Sequence, residues 1–138
     1  MRYALLIVDP ETAHPSPEPP APEVVAQVMK DYTDYTQMLK DRGAYLGGEA
    51  LQPNPTATTV RVQDGKPIVT DGPFIEAKEA LGGFYLVEAR DLDEALELAA
   101  DCPGARFGAI EVRPVMEFPE GSEAAEAMAV GEGAGQPV

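Results

Sequence analysis

The chain has 138 residues, 24 acidic against 10 basic, for a formal charge of −14. That length supports one ordinary domain burying roughly two-thirds of the surface its unfolded chain exposes, and the charge repels phosphate backbones and anionic bilayers, which excludes nucleic acid and membrane as direct partners. One cysteine, Cys102, and one histidine, His14, leave no internal disulfide and no zinc site of ordinary composition, and with neither a signal-like leader nor a spanning run a cytoplasmic protein is expected.

Tyr3 to Val8 is apolar throughout, which predicts a central strand covered on both faces. Pro10, Pro15, Pro17, Pro19, Pro20 and Pro22 then predict an extended connecting loop, because proline fixes φ and carries no amide donor. A first helix is expected from near Glu23. Its Val25, Val28, Tyr32, Tyr35 and Leu39 recur at spacings of three and four and form one stripe, and Gly43 stands where a helix C-cap commonly lies. Ala44 to Leu51 reads as a second strand, ended by Pro53 and Pro55. Thr58 to Gln63 and Lys66 to Thr70 flank Asp64-Gly65, a dipeptide that takes positive φ at both residues, so a hairpin with a type I′ turn is predicted. Pro67 places the second of these strands at a sheet edge.

Phe84 to Arg90 reads as the next strand. Asp91-Leu92-Asp93-Glu94 has the form of a helix start, and Leu92, Ala95, Leu96 and Ala99 keep helical spacing until Pro103-Gly104 stops it. Phe107 to Val115 supplies the last strand. The order β-α-β, an inserted β-hairpin, then β-α-β predicts a ferredoxin-like α+β domain over residues 1–118, with both helices on one face of an antiparallel sheet. If Ile110 and Val112 point to the helices, alternation sends Ala109, Glu111 and Arg113 to the other face, beside Phe84, Leu86 and Glu88. A face mixing these groups reads equally as a dimer interface, a ligand cleft or a rim of solvated charge. Residues 119–138 carry Glu120, Glu123, Glu126 and Glu132 among glycines and no basic residue, so a disordered acidic tail is predicted, with helical character confined to Ser122 to Val130.

The least ordinary segment runs from Thr70 to Tyr85. Asp71, before Gly72-Pro73, either accepts local amide bonds to hold a turn or presents a carboxylate as acid, base or ligand anchor at a cleft rim. Gly72 and Pro73 set the backbone, and Phe74 fills the core or lines the cleft. Asp71-Gly72-Pro73-Phe74, followed by Glu76, Lys78, Glu79, Leu81, Gly82, Gly83, Phe84 and Tyr85, resembles the signature of the DGPF-type proteins of the YCII-related family. The resemblance implies a dimeric α+β barrel, in which two copies pack sheet to sheet and enclose clefts. A homodimer with a small-molecule ligand near the Asp71 loop follows, with Tyr32, Gly72, Pro73, Phe74, Glu111 and Arg113 as cleft candidates, Asp71 as the candidate catalytic group and the reaction unassigned.

The same resemblance implies a catalytic His in the first helix and an Asp-Pro step after the second. Here Tyr32 and Cys102-Pro103 hold those places, and His14 lies in the proline-rich loop, so that pair does not carry over. Tyr32 also fits a core position on its stripe, and Cys102, without a basic neighbour in sequence, reads as a buried hydrophobe. No calcium loop or glycine-rich phosphate loop is present, so no cofactor is expected. DGPF-type proteins further resemble partners encoded beside extracytoplasmic-function sigma factors. A regulatory or interaction module, docking a basic protein region through its acidic surface, is therefore the second reading.

Overall fold

In the computed structural model, which describes residues 1–129, the first strand β1 (Arg2–Asp9) lies inside a four-stranded antiparallel sheet. It pairs with β5 (Ala80–Glu88) on one side and β6 (Ala109–Pro114) on the other, and β2 (Tyr45–Ala50) lies outside β5. Helices α2 (Pro22–Asp41) and α3 (Leu92–Asp101) cross over on one face. Tyr3, Leu5 and Ile7 of β1 meet Tyr35 and Leu39 of α2 and Ala95 and Leu98 of α3 in a single core. The order β2-β5-β1-β6 with these crossovers is the ferredoxin-like arrangement, and the hairpin β3 (Thr58–Gln63) and β4 (Lys66–Asp71) is inserted between β2 and β5 as a separate two-stranded sheet. Asp64 and Gly65 take φ of 52° and 74°, as the tight turn demands.

Several boundaries and faces differ from the sequence reading. β1 is central but covered on one face only: Ala4, Leu6 and Val8 are half-buried, and among the described residues no helix crosses above them. The proline-rich loop contains a helical turn, α1 (Pro10–Ala13), because Asp9 caps it and proline at the first helical position sacrifices no internal bond. In α2 the apolar stripe buries Tyr35 and Leu39, whereas Val25 and Val28 are exposed. A helix of 20 residues is about 30 Å long, and its first turns run past the core. Its end is a Schellman motif: Gly43 at φ +69° donates to the Lys40 carbonyl, and Ala44 donates to that of Leu39.

In α3 the Asp91 carboxylate accepts from the Glu94 amide at 3.0 Å, but the buried face is Ala95, Leu98 and Ala99, with Leu92 and Leu96 exposed. The helix packs through its small residues, which lets it sit close to the sheet. β5 starts at Ala80 rather than Phe84, so Gly82 and Gly83 lie inside the strand. Phe107 is exposed ahead of β6, after a 3-10 turn at Pro103–Arg106. A last helix, α4 (Glu123–Met128), is capped by the Ser122 hydroxyl and buries no residue. The expected tail continues past residue 129, outside the described residues. No helix among the described residues is long and apolar enough to cross a membrane.

Candidate functional site

Glycines decide where the chain leaves space. A methyl group on Gly82 would stand 2.6 Å from the Thr12 hydroxyl and 3.0 Å from a carboxylate oxygen of Asp9, and one on Gly83 would stand 2.8 Å from the Glu49 carbonyl oxygen. One on Gly48 would meet the Phe84 carbonyl oxygen at 2.7 Å. Without those side chains α1 and β2 close upon β5. Alternation along β5 sends Phe84 to the open face, paired with Leu6, and Tyr85 to the helix side, paired with Leu5.

The result is a partly open cleft of about 350 Å³ beside α2, lined by Asp9, Tyr32, Thr36, Tyr45, Glu49 and Tyr85 over a glycine floor. Its volume is that of a small-ligand site. Asp9 is held in place by capping α1: one oxygen accepts from the Thr12 amide at 2.7 Å and the other from the Thr12 hydroxyl at 2.9 Å. The Tyr85 and Thr36 hydroxyls share a hydrogen bond of 2.7 Å. Tyr85 is wedged between Tyr35, edge-on at 5.2 Å, and Tyr45, edge-on at 6.3 Å. Tyr35 itself belongs to the core, where its hydroxyl donates to the Leu98 carbonyl at 2.7 Å.

Burial pushes the phenols of Tyr32 and Tyr85 above their ordinary value, and Cys102 and Asp9 push Tyr32 further while the Thr36 hydroxyl draws Tyr85 partly back. Burial, then the Glu49 carboxylate, raises Tyr45. All three rings therefore stay protonated and offer O–H donors at neutral pH. Three tyrosines and the Asp9 carboxylate border the space, and among the described residues no lysine, arginine or histidine lines it. Such a set can grip and orient a small molecule that carries both an apolar body and polar groups.

The residues singled out in the sequence divide among several places. Tyr32 lines the cleft, and its hydroxyl lies over Gly104, where a methyl group would meet it at 2.8 Å. It also reaches Cys102, whose thiol burial pushes up more strongly than the Gly104 backbone and the Tyr32 hydroxyl draw it down. Gly72 and Pro73 border a second groove of about 310 Å³ with His14, Asn54 and Glu76. Asp71 ends β4, exposed, and among the described residues its carboxylate accepts no hydrogen bond. The loop is held by others: the Gly72 amide donates to the Ala57 carbonyl at 2.7 Å, and the Thr59 hydroxyl donates to the Gly72 carbonyl at 2.8 Å. Phe74 lies exposed beneath the Arg61 guanidinium at 4.3 Å. Glu111 and Arg113 pair with each other at 2.8 Å on the open face of the sheet.

Asp9, Thr36, Tyr45 and Glu49 were not singled out in the sequence. Asp9-Pro10 carried a readable signal, a capping residue before a first-turn proline. Tyr85 stood in the signature, but only the strand register shows that it faces the helices.

Residues 1–119 match the YCII-related domain. The chain belongs to the YCII-related family. It is 39% identical over 97 residues to an uncharacterized protein of Rhizobium meliloti (strain 1021), covering 69% of this chain and 78% of that one. It is also similar to the solved 5-chloro-2-hydroxyhydroquinone dehydrochlorinase of Burkholderia phenoliruptrix AC1100 in complex with 2,5-dihydroxybenzoquinone. That likeness has a TM-score of 0.46 and 17% identity over 86% of this chain and 96% of that one.

Proposed function

We propose that this YCII-related protein, of the DGPF type, is a homodimer that binds a small molecule in the cleft between α2 and β5. The meeting of Asp9, Tyr32, Thr36, Tyr45 and Tyr85 around one glycine-floored space supports this reading. A side chain at any of three glycines would collide with Asp9 and Thr12 or with the neighbouring strand, so these glycines let the walls of the cleft approach. The competing reading, an interaction module partnered with a sigma factor, draws support from the charge of −14. An open space with aimed hydroxyls favours the ligand instead, since a docking module needs no such interior. An NMR titration with small aromatic and hydroxylated fragments tests the reading: shifts should centre on Tyr32, Thr36, Gly82, Gly83 and Tyr85. Fragments that bind only elsewhere, or none that bind, would overturn it.

The dimer rests on the uncovered sheet face. Ala4, Leu6, Phe84 and Leu86 stand together there in register, rimmed by Glu111 and Arg113, and an apolar sheet face bordered by charge fits burial against its own copy. Sedimentation at tens of micromolar, in the range where specific homodimers assemble, should show a dimer that Leu86→Glu dissociates. A wild-type monomer at that concentration would remove the proposal.

A further inference from the structure

The inserted hairpin leaves one of its faces bare. Antiparallel pairing sets Val60 opposite Val69 and Val62 opposite Pro67 on one face, and Thr59 opposite Thr70 and Arg61 opposite Ile68 on the other. The loop that follows lies against the second face: the Thr59 hydroxyl donates to the Gly72 carbonyl at 2.8 Å, and the Phe74 ring lies beneath the Arg61 guanidinium at 4.3 Å. On the first face Val60, Val62 and Val69 are exposed by 61, 72 and 64%, and Pro67 is exposed beside them. A two-stranded hairpin is marginally stable by itself in water. An apolar face of this kind calls for a cover that no element among the described residues supplies.

Area and charge both point to a second copy of the chain as that cover. The four-stranded sheet, with strands of six to nine residues, offers an open face of roughly 450 Å², whereas a stable interface buries about 800 Å² on each partner. One face of the hairpin spans roughly 200 Å². In a twofold dimer each copy contributes that face and also the surface on which its partner's hairpin rests, which brings the total to about the standard size. Residues 58–70 carry Arg61 and Lys66 against Asp64, a net +1 on a chain whose other residues sum to −15, so the body of a second copy attracts this segment while acidic surfaces repel one another. Pro67 removes a donor from the outer edge of β4, which favours docking by the face over strand addition at the edge. Resting on the dimer reading above, we infer that the hairpin is the arm of the homodimer, laying Val60, Val62, Pro67 and Val69 on the second copy.

Sedimentation and amide hydrogen exchange of the full chain test the arm together. Val60→Thr combined with Val62→Thr keeps two branched strand formers while removing apolar surface, and should weaken the dimer about tenfold or more. Ile68→Thr, a like change on the other face, should weaken it by less than about twofold. In the wild type the amides of β3 and β4 should exchange slowly where the dimer forms and quickly on dilution to monomer, since a free hairpin opens readily. Equal weakening by the changes on the two faces would show that the arm acts through its own folding, and would overturn docking by this face. A dimer that Leu86→Glu dissociates but that ignores the Val60 and Val62 changes, with hairpin exchange independent of concentration, would overturn the arm and leave the sheet dimer standing. A wild-type monomer at about tens of micromolar would remove both.

Discussion

Gly83 and Gly47 lie on neighbouring strands and place very different demands on a side chain. A methyl group at Gly83 meets the Glu49 carbonyl oxygen at 2.8 Å and the Ala50 Cα at 3.3 Å, whereas one at Gly47 meets nothing within 4 Å. Backbone cannot swing aside as a flexible side chain can, so Gly83→Ala should destabilise by about 1–3 kcal/mol, the usual cost of overpacking. Gly47→Ala should be close to neutral. Urea unfolding of both compares them, and equal midpoints would show that β2 yields freely to β5. Asp71 poses the opposite case. Its exposed carboxylate accepts no bond among the described residues, while Ala57 and Thr59 hold the following glycine. Asp71→Asn should therefore change stability by less than about 0.5 kcal/mol. A loss well above that value would give the carboxylate a bracing role after all, and a loss of ligand affinity at unchanged stability would place it at the site.

At the scale of elements, α2 and the chain after β6 divide between packed and unpacked segments. The second half of α2 ends against the core and closes with the Gly43 motif, while its first turns carry Val24, Val25, Val28 and Met29 outward. Beyond β6, the Arg2–Glu117 pair at 3.1 Å joins two exposed groups, an interaction that water and salt screen and that holds the chain end only weakly. After it comes α4, six residues with a sound cap and nothing buried. A helix that short is not stable by itself in water. We propose that residues 119–138 are dispensable for folding: a chain ending at Phe118 keeps Glu117 and should melt cooperatively, within about 0.5 kcal/mol of the full chain. A larger loss, or dissociation of a dimer, would show that the tail packs.

Across the whole molecule, one group of buried and half-buried phenols links the core to the cleft and sets an upper limit on pH. Burial raises Tyr32, Tyr35 and Tyr85 above the ordinary 10.0 and raises the Cys102 thiol above 9.0. A group whose folded pKa is raised contributes stability that is fully present below its unfolded value and is lost as pH climbs toward the folded one. Stability should thus hold from neutrality to about pH 9 and fall beyond it, as unfolded thiol and phenols ionise while the folded ones cannot. Tyrosinate absorbance followed beside circular dichroism reads this directly. The buried rings should ionise only as the fold is lost. Tyrosines that all titrate near 10.0 in an intact fold would contradict their burial.

Local chemistry determined much of this protein in the sequence alone. Asp64-Gly65 specified its turn, Gly43 its helix end, Asp91 its cap, and the element order specified a ferredoxin-like sheet, because each depends on steric limits or hydrogen bonds within a few residues. Periodicity was less complete. It put Val25 and Val28 on the same stripe as Leu39, but spacing records which residues share a face and not how far the opposing sheet extends. The cleft lay beyond sequence for the same reason. Asp9, Thr36, Glu49 and Tyr85 are spread over four elements, and only the antiparallel register of β1, β5 and β2, drawn close by Gly82 and Gly83, brings these residues around one space.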